Sequence, residues 1–152
     1  GCINLASIVI PNNVTSIGEG AFAYCNRLTS VTIGSGVTSI GDFAFSGCIN
    51  LASIVIPNNV TSIGEGAFAY CNSLTSVIIP ESVTSIGDMA FAECNTLEAV
   101  YYCGTATQWQ AVTIGSDSFV SATTVYYYSE TQPTEEGNYW HYDTDGVTPV
   151  KW

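Results

Sequence analysis

A chain of 152 residues is long enough for one domain with a substantial core, and its 47% apolar content argues against disorder. Only 10% of its residues are charged, and 13 carboxylates face two basic side chains, Arg27 and Lys151, for a net charge of −11. Such a surface repels nucleic acid and anionic membranes, and no apolar run reaches the roughly 18 residues of a membrane span, so neither nucleic-acid binding nor membrane insertion is expected.

No signal peptide is visible. The chain begins one residue before a repeat boundary, at Gly1-Cys2, and the expectation is the C-terminal part of a longer, secreted precursor. Cysteines at 2, 25, 48, 71 and 94 stand 23 residues apart. They divide the chain into units 2–24, 25–47, 48–70 and 71–93, with a fifth opening at Cys94 and then departing from the pattern. Eleven positions are the same in all four full units; in the second these are Cys25, Leu28, Ser30, Ile33, Val37, Thr38, Ser39, Ile40, Gly41, Ala44 and Phe45. Units 2–24 and 48–70 are identical over all 23 residues, which looks like duplication of a two-unit block. A fixed short period signals a solenoid, where each unit meets a copy of itself above and below and the same sequence solves the same packing problem each time.

Within a unit, Leu28-Thr-Ser-Val-Thr-Ile33 predicts a short strand with Val31 and Ile33 inward and Thr32 outward. Pro11, Gly34, Pro57 or Pro80 then turns the chain. Val37-Thr-Ser-Ile40 predicts a second extended piece, ended by Gly41. Gly-Asp-Phe-Ala-Phe (41–45) predicts one turn of 3₁₀ or α helix, and Phe22, Phe45, Phe68 and Phe91 predict an aromatic spine.

Leu-x-x-[Val/Ile]-x-Ile resembles the strand of a leucine-rich repeat. The longer sentence, Cys-x-x-Leu-x-Ser-[Val/Ile]-x-Ile-Pro-x-x-Val-Thr-Ser-Ile-Gly-x-x-Ala-Phe, resembles the BspA-type leucine-rich repeats of bacterial surface and secreted proteins. The resemblance is dense over 2–102 and loose over 100–119, which is similar to the irregular closing repeat of that family. It implies a leucine-rich repeat solenoid of the α/β horseshoe class, right-handed and mostly parallel β, with the sheet on its concave side and with short 3₁₀ or α turns. It also implies exposure at the cell surface or outside the cell, adhesion to host or partner proteins in some members, and no catalytic motif.

Residues 1–102 are therefore read as four and a half repeats, 103–128 as an irregular cap, and 129–152 as a linker and hairpin. In the cap, Trp109, Val112 and Ile114 are expected to fill the core of an enlarged turn, and Val125–Tyr128 to add a strand. "SETQPTEEG" (129–137) reads as a linker, and Asp143-Thr-Asp-Gly146 as the turn of a β-hairpin. A solenoid needs its last coil covered; the hairpin either packs beside the cap or reaches a neighbouring molecule. Nothing comparable precedes Cys2, so association through the N-terminal end, or native sequence upstream, is the further expectation.

The cysteine row reads as a buried column, since side chains stacked at the ~4.8 Å strand spacing stand too far apart for disulfides and a row cannot converge on zinc. Cys103 breaks the period and is either free or bonded to Cys94. Glu19, Asp42, Glu65 and Asp88 stand just before each turn, where a carboxylate suits free amides; a calcium edge is disfavoured because a row lacks convergent oxygens. Asp143-x-Asp145-Gly146 resembles a fragment of a calcium loop but lacks an acid at His141 and at Trp152, so a turn is the better reading. Asn13 and Asn59 head formal glycosylation sequons, which the bacterial resemblance implies are unmodified. With one histidine, His141, and no paired-carboxylate constellation, no enzymatic activity and no cofactor or metal are expected.

The outward positions of the strands are Ser7/Val9, Ser30/Thr32, Ser53/Val55, Ser76/Ile78 and Ala99/Tyr101, a nearly uncharged face suited either to a protein partner or to a bare scaffold. Tyr139, Trp140, Tyr142 and Trp152 are candidates for association through the hairpin. The leading expectation is a non-catalytic protein-binding or adhesion module, whose partner would include host surface or matrix proteins. The alternatives are a structural stalk presenting an upstream domain, and glycan binding by Trp109, Tyr126–Tyr128, Tyr139, Trp140, Tyr142 and Trp152.

Overall fold

Each 23-residue interval becomes one three-sided coil of the chain. The computed structural model describes residues 2–152. The first side of successive coils carries β1 (Ser7–Ile10), β3 (Ser30–Ile33), β5 (Ser53–Val55), β7 (Ser76–Ile79) and β9 (Ala99–Tyr102). The second carries β2 (Ser16–Ile17), β4 (Ser39–Ile40), β6 (Ser62–Ile63), β8 (Ser85–Ile86) and β10 (Thr113–Ile114). Pairing is parallel and in register at the repeat interval, as in Ser7↔Ser30, Ser16↔Ser39 and Ser76↔Ala99. The second-side ladder runs unbroken from β2 to β10, whereas the first-side ladder is interrupted between β3 and β5. Coil two leans on coil one at that side: a Cβ on Gly34 would stand 2.6 Å from the Ile10 carbonyl oxygen.

The third side is where the structure departs from expectation. Residues 41–45 and their counterparts form no helix. Instead, the N–H groups of Gly20, Phe22 and Tyr24 donate to the carbonyls of Asp42, Ala44 and Ser46 at 2.7–2.8 Å, and those of Phe43, Phe45 and Gly47 to Glu65, Ala67 and Ala69 at 2.7–2.8 Å. The intervening amides close tight local turns, such as Ser46 N–H to the Phe43 carbonyl at 3.1 Å. Every second peptide thus points along the solenoid axis, and the turn column is a third hydrogen-bonded ladder. A one-turn helix would leave its end groups unpaired, whereas the neighbouring coil satisfies them here.

That geometry requires positive φ at the first and fifth residues of the segment: Gly20 and Tyr24, Phe43 and Gly47, Gly66 and Tyr70, Met89 and Glu93. Large and small residues alternate between coils at these two positions. Tyr24 lies against Gly47, where a Cβ would meet its ring at 2.6 Å, and Phe43 lies against Gly66, where a Cβ would fall 2.6 Å from Cδ1. At these two seams an aromatic ring in one coil rests on a glycine in the next, whereas Tyr70 is followed at its position by Glu93.

The core is one continuous cluster of columns. Leu28, Leu51, Leu74 and Leu97 stack, as do the second-side isoleucines. The rings of Phe22, Phe45, Phe68, Phe91 and Phe119 stack with centroids 5.1–5.3 Å apart and planes within 5–12°. Threonine is invariant in Val-Thr-Ser-Ile because each hydroxyl donates to the threonine carbonyl one coil earlier, as Thr38 does to Thr15 at 3.1 Å and Thr61 to Thr38 at 3.2 Å.

The fifth coil keeps this plan with an insertion. The second-side offset grows from 23 to 28, as in Ser85↔Thr113, to admit α1 (Ala106–Gln110). Thr105 caps α1 in a capping box with Gln108, and Trp109 enters the core against Tyr102 and Phe119. Val112 packs against the core, but Ile114 is 37% exposed, because it lies on the last strand of its ladder with no coil beyond to cover it. β11 (Thr124–Tyr128) continues the first-side sheet, followed by β12 (Tyr139–Tyr142) in parallel and β13 (Pro149–Lys151) antiparallel. The hairpin therefore extends the sheet of its own chain.

Gly20 and Gly66 share sequence surroundings and φ near +60°, but no aromatic ring lies against Gly20. Gly20→Ala is expected to cost only backbone strain, about 1–2 kcal/mol. Gly66→Ala must also displace Phe43, and is expected to cost at least about 1 kcal/mol more. Urea denaturation of the two variants measures the difference.

Candidate interaction surfaces

The first-side sheet presents its even-spaced residues outward. Ser7, Val9, Ser30, Thr32, Ser53 and Val55 are exposed there, Val9 at 69% and Val55 at 56%, and none carries a charge. Two apolar side chains stand among four hydroxyls on the uncharged outer face of β1, β3 and β5.

Farther along, the same face is closed. Ser76 is half-buried, and Ile78, Ala99 and Tyr101 form a second cluster under Trp140, which is 0% exposed. The Trp140 indole N–H donates to the Tyr102 carbonyl at 2.8 Å, and its ring meets Tyr101, Tyr128 and Tyr142 at 4.8–5.4 Å. Ile78 and Tyr101 are thus not part of an open binding face, and Trp140 is not free for association. The reason is physical: outward-facing large apolar groups on the last strands need cover, and the hairpin's indole supplies it with its one polar group satisfied. Lys151, on β13, holds its ammonium 4.5 Å from the centre of the Tyr126 ring.

Of the other hairpin candidates, Tyr139 and Tyr142 are half-buried. Trp152 stacks on His141 at 3.8 Å and donates its indole N–H to the Ser129 carbonyl at 2.9 Å. Among the aromatics considered for glycan stacking, Trp109 and Trp140 are interior and Tyr126 leans on Tyr101. Asp143 and Asp145 are engaged in the turn: the Asp145 carboxylate accepts from the Thr148 hydroxyl and from the Thr148 and Val147 amides at 2.8 and 2.9 Å, which together hold its pKa low.

The turn column carries a surface that periodicity alone does not reveal. Tyr24, Phe43, Tyr70 and Met89 are large and exposed. The signal in the sequence is variation: Gly20, Phe43, Gly66 and Met89 share one repeat position, and Tyr24, Gly47, Tyr70 and Glu93 another. The acidic row has a structural duty in alternate coils. Asp42 accepts from the Glu65 amide at 2.8 Å and Asp88 from the Ser116 amide at 2.7 Å.

All six cysteines are free, Cys25, Cys48, Cys71 and Cys94 being buried. Their column is more than apolar filling: the thiols of Cys48, Cys71 and Cys94 donate to the carbonyls of Phe22, Phe45 and Phe68 at 3.1–3.3 Å. Burial pushes the Cys48 thiol up to about 12 from 9.0. A thiol that is neutral when folded and ionises more readily when unfolded stabilises fully below its unfolded pKa. That contribution falls as pH rises from 9.0 to about 12. The free energy of unfolding by urea is therefore expected to drop above pH 9.0, by at most about 1.4 kcal/mol per pH unit for this group, and the Cys48→Ala variant to lose part of that slope.

No helix is long and apolar enough to cross a membrane among the described residues. The family model described as BspA type leucine rich repeat region matches residues 1–125 in six copies. A leucine rich cell surface protein from Faecalibacterium prausnitzii A2-165 is 42% identical, with a TM-score of 0.70 over 72% of this chain and 29% of that one. A leucine-rich repeat protein from Bacteroides ovatus is 29% identical, with a TM-score of 0.71 over 83% of this chain and 31% of its own. The leucine rich repeat protein of T. pallidum is 28% identical, with a TM-score of 0.66 over 84% of this chain and 63% of that one. The chain thus spans less than two thirds of each of these relatives. No curated protein sequence matches it.

Proposed function

The chain belongs to the BspA-type leucine-rich repeat family, and from that premise we propose that it is a non-catalytic protein-binding module of a bacterial surface or secreted protein. The observation that carries this reading is the open, uncharged face of β1, β3 and β5, with Val9 and Val55 exposed among Ser7, Ser30, Thr32 and Ser53. A partner needs to desolvate no charged side chain among these six, and the hairpin covers the far end of the same sheet face. Adhesion outside the cell, to host or matrix proteins, is the setting that best fits the acidic charge and the cell-surface description of the F. prausnitzii protein. A stalk remains the second reading, favoured by the recurrence of serine at the outward position of Ser7, Ser30, Ser53 and Ser76. Glycan stacking is the weaker alternative, since the rings it requires are engaged with one another.

The chain is to be screened against arrayed host and bacterial surface proteins. A specific binder is expected, and the Val9→Glu/Val55→Glu variant, folded by circular dichroism, is expected to bind it at least about tenfold more weakly, the loss of two desolvated contacts. Undiminished binding by that variant contradicts the sheet-face reading, and the absence of any binder favours the stalk.

A further inference from the structure

We propose that the cleft between the fourth coil and the C-terminal hairpin binds an alkylammonium group. The cleft holds about 440 Å³ and is lined by Asn58, Glu81, Ser82, Cys103, Tyr128 and Tyr142, with Pro80. Its size lies within the range of small-molecule sites.

The lining departs from the repeat where it matters. The position that is Asn12, Ser35 and Asn58 in the first three units becomes Glu81 in the fourth. The position held by Pro11, Gly34, Pro57 and Pro80 becomes Cys103 in the fifth. The Cys103 amide, which a proline would lack, donates to the Ile79 carbonyl at 2.9 Å and fixes the thiol beside the hairpin. Tyr128 and Tyr142 arrive from β11 and β12. A carboxylate, a thiol and two phenols therefore meet only where the hairpin lies against the coils.

Their chemistry selects a cation. Glu81 is the one charged group in the lining, and Gln108 holds its Oε2 at 3.0 Å. Burial pushes the Cys103 thiol up to about 11, opposed by its hydrogen bond with the Tyr142 side chain and helped by the Glu81 charge, so the thiol is neutral near pH 7. Tyrosine faces attract ammonium groups, as the Lys151–Tyr126 contact in the same hairpin illustrates. Neither Arg27 nor Lys151 lines the cleft. An anion would meet the exposed Glu81 carboxylate with no countercharge in the lining, and a purely apolar ligand would gain nothing from that charge.

A free quaternary amine and a lysine side chain of a partner protein share this chemistry. The test is titration of the isotope-labelled full chain with choline, with N-acetyl-lysine methylamide, and with the neutral carbon isostere of choline, followed by NMR. Saturable shifts at Cys103, Tyr128 and Tyr142 with an ammonium probe, absent with the neutral isostere and weakened about tenfold by Glu81→Gln, support the proposal. The tighter of the two ammonium probes identifies the source. No saturable shift with either, equal binding of the isostere, or undiminished binding by Glu81→Gln overturns it. The site does not depend on the sheet face, so the two readings succeed or fail separately.

Discussion

Backbone hydrogen bonding between successive coils, on all three sides, is the constraint on which the rest of this molecule depends. Two sides are parallel β-ladders, and the third is a column of turns whose alternate peptides all point along the axis. Once the backbone repeats at one strand spacing, each side chain must sit above its own equivalent. Stacking phenylalanines, threonine hydroxyls on threonine carbonyls and thiols on phenylalanine carbonyls are consequences of that registration. A residue is invariant here when it satisfies both neighbours at once.

The turn column adds a second constraint with twice the period. Positive φ at two positions per coil would favour glycine throughout. The chain instead alternates glycine with a tyrosine, phenylalanine, methionine or glutamate, and at two seams an aromatic ring rests on the glycine of the next coil. Non-glycine residues in this conformation carry strain, and the ladder around them holds it. The same alternation places large apolar groups on the outside of the column.

The solenoid, its strands and its phenylalanine spine were legible because they recur: four equivalents of Ile33 or Phe45 identify a column without any coordinates. The turn is not legible in the same way: Gly-Asp-Phe-Ala-Phe has the composition of a short helix, and only the neighbouring coil shows where its amides go. Phe119 escaped the spine because α1 shifts its spacing from 23 to 28. Cover over Ile78 and Tyr101 was illegible for a different reason: a C-terminal hairpin folds back only through tertiary contacts, here β11–β12 pairing and the seat of Trp140 on Tyr101 and Tyr102. The ammonium cleft was hidden in the same way, since its groups lie far apart in sequence and stand out only as exceptions to the repeat.

Departures from the period thus carry the individual character of this chain, and the period itself carries its stability. The central claim is that the turn column is a hydrogen-bonded ladder equal to the two sheets, and native-state hydrogen exchange tests it most directly. The amides of Phe43, Phe45, Gly47, Gly66, Phe68 and Tyr70 are each bonded to the next coil, and the account predicts that they exchange as slowly as those of β4 and β6. Fast exchange at these amides alongside protected strands would mean that the turns merely connect two sheets, and would contradict it.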